Sequence, residues 1–132
     1  MQLEVQGIHT FYGLSHILFD VSLQVDRGEV VVLLGRNGAG KTTTMRSIMG
    51  LTPPKQGKIT FNGQDVTRLA PYRVARIGIG FVPEDRRIFP DLTVQANLDV
   101  GRRRARDREN KWTTDRIYSL FPRLKELANR RG

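Results

Sequence analysis

The stretch Gly35-Arg36-Asn37-Gly38-Ala39-Gly40-Lys41-Thr42 fits the pattern G-x-x-x-x-G-K-[ST], and its flanks decide the fold. Before it stands the apolar run Val30-Val31-Val32-Leu33-Leu34; after it a helical pattern runs to about Met49, with Gly50 placed as a C-terminal cap. Strand, glycine-rich loop and helix in this order make a phosphate-binding unit. Gly35, Gly38 and Gly40, with the small Ala39, let backbone N–H groups close around phosphate oxygens where a larger residue would block them. The new helix adds an N-terminus with partial positive charge, aimed at the same anion. Lys41 brings a mobile full charge suited to the β- and γ-phosphates of a nucleotide. Thr42 brings a hydroxyl suited to Mg²⁺, a hard cation that prefers oxygen ligands. The expectation is a nucleotide-phosphate site.

Outward from the loop, Leu3, Val5 and Ile8 suggest a first strand, and Ile17, Phe19, Val21, Leu23 and Val25 alternate with polar residues in a second. The run 30–34 has no alternation and reads as a strand buried on both faces of a parallel sheet. Beyond Pro53-Pro54, Lys58-Ile59-Thr60-Phe61 reads as a strand ending in the hairpin signal Asn62-Gly63. Pro71 opens a short helix over 71–76, and Ile77 to Val82 reads as another buried strand. Pro83 ends it, a loop runs to Pro90, and Thr93 is placed to cap a helix from Val94. Ile117, Leu120, Phe121, Leu124 and Leu127 recur at helical spacing around Pro122 and are expected to face a core, with Trp112 packed beside them.

The chain has 132 residues, enough for one small domain with a core. Without cysteine it has neither disulfides nor thiolate metal sites, and His9 and His16 read as surface or strand-edge residues rather than ligands. No apolar run approaches the ~18 residues of a membrane-spanning helix. The net charge of +9 is concentrated late: residues 101–132 hold 11 Lys and Arg against 4 Asp and Glu. The run Arg102-Arg103-Arg104-Ala105-Arg106 is read as a solvated helix face in preference to a contact for nucleic acid or anionic lipid, because acids and helical spacing resume after it.

With these residues in place, the sequence resembles the ATP-binding subunit of ABC transporters. The loop extends to Thr43 in the manner of that family. Tyr12 lies 29 residues before Lys41, a spacing at which the family places an aromatic ring on adenine. A flat ring suits that task because it binds a purine face without reading its edges. Val82-Pro83-Glu84-Asp85-Arg86-Arg87 stands where the family has its Q-loop, which contacts Mg²⁺ or its water and the membrane partner. Glu84 departs from the usual glutamine; a carboxylate still offers oxygen to Mg²⁺ but no longer donates a hydrogen bond. The segments 48–54 and 78–94 are most similar to the smaller ATP-binding subunit of the high-affinity branched-chain amino-acid uptake transporter, with a urea-uptake relative next.

The resemblance implies an α/β P-loop NTPase core joined to an N-terminal antiparallel β-subdomain over 1–92, with a helical subdomain beginning over 93–132. It implies ATP and Mg²⁺ as ligands, with Lys41 and Glu84 in catalytic roles and Thr42 and Glu84 at the metal. It also implies a peripheral place on the cytoplasmic face of the inner membrane. The partners it implies are permease subunits met by the 83–90 loop, a second ATP-binding subunit in a head-to-tail ATP sandwich, and a periplasmic binding protein, with no nucleic acid. Nothing in the 132 residues matches the LSGGQ-type signature, the apolar strand ending in Asp-Glu or the switch histidine of that family. The expectation is an N-terminal piece that binds ATP and hydrolyses it poorly by itself. Other readings are another small-solute importer or a soluble ABC-type ATPase acting on ribosomes or DNA.

Overall fold

The computed structural model describes residues 1–85, 87–102 and 112–132. They form two compact units, Met1–Phe81 and Val82–Gly132. In the first unit, β1 (Leu3–Tyr12) and β2 (Ser15–Val25) form a hairpin. A loop then leads to α1 (Lys41–Ile48), followed by β3 (Gln56–Phe61), β4 (Gln64–Asp65) and α2 (Pro71–Ile77). The strands make one sheet in the order β2-β1-β3-β4, every pair antiparallel. Val5, Ile8, Leu18, Ile48, Ile59 and Val66 form the core between sheet and helices.

Local signals act as their chemistry requires. Asn62 and Gly63 take φ of 48° and 78°, the pair of positive values that a two-residue I′ hairpin demands. Asp65 accepts from the Thr67 hydroxyl at 2.6 Å and from its amide at 2.9 Å, which ties down the end of β4. Those bonds, the hydroxyl's first, hold the Asp65 carboxyl below the usual carboxylate range.

The expected alternation in β2 breaks at Asp20. Val21 faces Ile8 and Leu18 faces Thr10, so β2 uses one residue more than β1 over this stretch. Asp20 carries the irregularity at φ 50°. A bulge of one residue moves the side chains next beyond it to the other face. Leu18, not Phe19, is therefore the core residue: Leu18 is 2% exposed and Phe19 is 65% exposed.

Two expected strands are not formed. Residues 30–34 pair with no strand among the described residues, and Val30, Val32 and Leu34 are 88, 68 and 89% exposed. A strand buried on both faces needs neighbours on its edges and layers over its faces, and neither is found there. Ile77 closes α2, and Gly78 ends that helix at φ 116°; residues 78–82 form no strand. Ile79 still packs on the core from this position.

The second unit holds α3 (Val94–Val100), α4 (Thr114–Leu120) and α5 (Pro122–Glu126). Thr93 caps α3 as expected, its hydroxyl accepting from the Ala96 amide at 3.1 Å. Tyr118 donates to Gln95 at 2.6 Å, and Thr93 bridges to Arg131. Contrary to expectation, Leu120, Phe121 and Trp112 are exposed, and the Arg116 guanidinium sits 4.6 Å from the Trp112 ring centre. Of the arginine run, Arg102 pairs with Asp99 at 3.3 Å, and the remaining residues, 103–106, lie outside the described residues.

Asn97 closes the turn before α3. Its Oδ1 accepts from the Phe89 amide at 2.8 Å, and its Nδ2 reaches the carbonyls of Phe89 at 3.0 Å and Thr93 at 3.0 Å. Asn97→Ala is expected to lower unfolding free energy by ~1–2 kcal/mol, the net worth of a few partly exposed hydrogen bonds, measured by urea denaturation. The local readout is faster amide exchange at Phe89.

Candidate functional site

The first unit gathers the loop residues around the start of α1. Gly35 to Gly40 fold back on themselves, the Ala39 amide donating to the Arg36 carbonyl at 3.1 Å. Gly40 is the N-cap of α1 at φ 93°, a conformation that disfavours any Cβ. A Cβ there would also stand 2.6 Å from Cδ2 of the buried Leu18. Glycine at this position therefore lets α1 start in contact with β2. No side chain caps α1, and helix geometry leaves its first amides without intrahelical acceptors. These N–H groups, with the helix dipole behind them, make a seat for an anion.

The Lys41 ammonium lies across the loop and donates to the carbonyls of Gly35 at 2.7 Å and Arg36 at 2.8 Å. It braces the loop with two donors and keeps a third for an anion. Gly35, Asn37, Gly38 and Ala39 are exposed along the loop.

The threonines that follow divide by face. Thr42 is exposed. Thr43 is 7% exposed, and the Thr44 hydroxyl donates to the Gly40 carbonyl at 3.0 Å. Among the described residues no group of three or more His, Cys, Asp and Glu could hold a metal. The exposed Thr42 hydroxyl is an oxygen of the kind Mg²⁺ accepts, an ion that usually keeps several waters and takes phosphate oxygens as ligands.

Tyr12 ends β1 and is 44% exposed. Its phenol pKa is lowered first by the Thr43 hydroxyl, opposed by partial desolvation, and lowered further by Thr52 and Arg46. Arg46, beside Thr43 on α1, donates from Nε to the Thr52 hydroxyl at 3.4 Å.

Glu84 belongs to the second unit, where it is exposed in a turn before Asp85, and Asp85 pairs with Arg87 at 2.8 Å. His9 and His16 hydrogen-bond to each other at 3.1 Å, with His16 stacked on Phe11.

Known proteins resemble this chain. A family model described as ABC transporter matches residues 18–131. The chain belongs to the ABC transporter family. This ABC chain is 37% identical over 130 residues to the high-affinity branched-chain amino acid transport ATP-binding protein BraG of Pseudomonas aeruginosa, covering 98% of the chain and 56% of that protein. It is 38% identical over 102 residues to the ribose import ATP-binding protein RbsA of Bacillus subtilis, covering 77% of the chain and 21% of that protein. A solved ATP-binding subunit of an ABC transporter superposes with a TM-score of 0.77 at 30% identity, over 98% of this chain and 53% of that one. The chain thus spans about half the length of the first of these relatives. The antiparallel sheet and its helices match the N-terminal part of ABC ATPase structures. Among the described residues no helix is long and apolar enough to cross a membrane.

Proposed function

We propose that this chain binds Mg·ATP and acts in the ATP-binding subunit of an ABC importer that couples ATP binding and hydrolysis to uptake of branched-chain amino acids. The observation that carries the nucleotide site is the Lys41 ammonium held 2.7 Å from the Gly35 carbonyl beside the uncapped start of α1. In this reading Gly35, Asn37, Gly38, Ala39 and Gly40 cradle the phosphates, joined by Lys41, Thr42 and Thr43 at the start of α1. Lys41 neutralises charge on the β- and γ-phosphates, Thr42 holds Mg²⁺, and Tyr12 stacks on adenine. Glu84 offers a second oxygen to the metal. Residues 1–92 form the nucleotide-binding part and 93–132 the start of a helical subdomain.

The identity to BraG supports the amino-acid substrate, and the identity to a ribose import protein favours a second reading, another small-solute importer. Uptake of labelled leucine and of labelled ribose by cells deleted for this chain separates the two. Loss of leucine uptake alone is expected; loss of ribose uptake alone overturns the amino-acid reading.

The working partners in this proposal are permease subunits that meet the 83–90 loop, a second ATP-binding subunit in head-to-tail contact, and a periplasmic binding protein. The chain then sits peripherally on the cytoplasmic face of the inner membrane. Ile88 is exposed in that loop, and the chain has no cysteine to compete. Ile88→Cys is expected to crosslink to a permease in membranes treated with a bifunctional thiol reagent. Crosslinks confined to ribosomal or DNA-bound proteins would instead favour a soluble ABC-type ATPase.

A further inference from the structure

α2 has two unlike faces. Val74 is fully buried and Ile77 packs on the core, whereas Tyr72 is 55% exposed and Arg73 and Arg76 are exposed with it. With about 3.6 residues per turn, Tyr72, Arg76 and Arg73 fall within one ~100° arc of the helix. The contacts agree. The Arg76 guanidinium stands 5.4 Å from the centre of the Tyr72 ring and the Arg73 guanidinium 5.9 Å. Arg73 Nε also donates to the Tyr72 hydroxyl at 3.1 Å. The charge around this face is one-sided. Between Asp65 and Glu84 the sequence has three arginines, Arg68, Arg73 and Arg76, and no acid. Residues 30–81 hold eight Lys and Arg against one acid, Asp65, while residues 1–29 hold four acids against one arginine. Asp65 is itself engaged by the Thr67 hydroxyl and amide. Cations gathered along a stretch without acids raise the local potential and concentrate anions there.

We infer that the exposed face of α2, Tyr72 with Arg73 and Arg76, is a contact surface for anionic lipid headgroups. A guanidinium presents paired donors that match two phosphate oxygens, so each arginine can grip a headgroup with defined geometry. A tyrosine has an apolar ring and a polar tip, which suits it to the level of the headgroups, between water and acyl chain. The buried Val74 holds the opposite side of α2 in the core, so the face is presented by a fixed element. Single-stranded nucleic acid also carries phosphates, but it gains affinity by stacking bases on open aromatic faces. Here guanidiniums already lie over the Tyr72 ring, and a base would have to compete with them. The choice of a membrane rests on the importer reading above. It adds to that reading a lipid contact made by this chain itself, without a permease between.

The contact is tested by sedimenting the purified chain with phosphatidylcholine vesicles, with and without phosphatidylglycerol. Binding is expected only where phosphatidylglycerol is present, and it should fall as salt is raised and the charges are screened. Arg73→Gln is expected to lower the partition coefficient about fivefold, and Arg73→Gln with Arg76→Gln about 25-fold, the worth of one and two basic side chains near an anionic surface. Arg73→Lys keeps the charge and is expected to retain most of the binding, which a merely structural arginine would not require. Tyr72→Ala should weaken binding and leave its salt dependence in place. A urea melt of each variant serves as the fold control. Equal binding to the two kinds of vesicle, or none to either, overturns the inference. So does unchanged binding in the double variant, which would move the lipid contact elsewhere, the arginine run 102–106 first. A single-stranded RNA that strips the chain from vesicles, and whose own binding falls in Tyr72→Ala, would make the face a nucleic-acid surface and overturn it as well. The vesicles hold no permease, so failure here leaves the importer reading to the uptake of leucine, which tests it separately.

Discussion

Lys41→Ala is expected to weaken Mg·ATP binding by about 10- to 100-fold, the loss of one charge-assisted contact worth ~1.5–3 kcal/mol. The Lys41 ammonium already stands at the loop, donating to the carbonyls of Gly35 and Arg36. No large rearrangement is needed to turn its remaining donor toward a phosphate. Removing it also removes a cation from a site otherwise built of partial charges. Helix-terminal amides attract an anion but do not neutralise it. The fold should tolerate the change, because the two carbonyls are at an exposed loop where water replaces the lost donors. Titration with a fluorescent ATP analogue reads the affinity, and a urea melt should give nearly the same midpoint for both forms. Equal affinities would remove Lys41 from the site. A large fall in the midpoint would show that its main task is bracing the loop.

What the sequence disclosed follows the range of the forces involved. Asn62-Gly63, Thr93 and the loop 35–40 are settled by steric and hydrogen-bonding demands within a few residues, and each could be read directly. The run 30–34 was read from its apolar character alone, which says that burial is favourable but not that anything is present to bury it. The alternation of Ile17 to Val25 was misread at Phe19 because a bulge at Asp20 depends on pairing with β1, a partner outside the window. The candidate site divides in the same way. The phosphate loop is contiguous and legible. Tyr12 enters through family resemblance, whereas the contact that joins β1 to α1, Thr10 with Ser47, depends on how the two elements pack. Two buried hydroxyls at the right positions carry no one-dimensional signature.

The 132-residue chain by itself is expected to release phosphate from ATP no faster than background. In the proposed reading the loop holds the phosphates and Lys41 neutralises charge on them, but hydrolysis also needs a water aligned in line with the bond that breaks and a base to take its proton. Residues 35–44, which build the loop and first turn of α1, contain no carboxylate. Glu84 and Asp85 are exposed in the second unit, and Asp85 is engaged by Arg87. Loss of a positioned base commonly lowers rate by ~10²–10⁴, and charge neutralisation alone does not replace the alignment of the attacking water. The chain spans 56% of the length of BraG. Phosphate release from the purified chain is measured against Lys41→Ala, which exposes any contaminating ATPase. Turnover above background that Lys41→Ala abolishes would mean that these residues contain their own base. Glu84→Gln and Asp85→Asn would then identify it, since each keeps the side chain's shape and removes its ability to accept a proton.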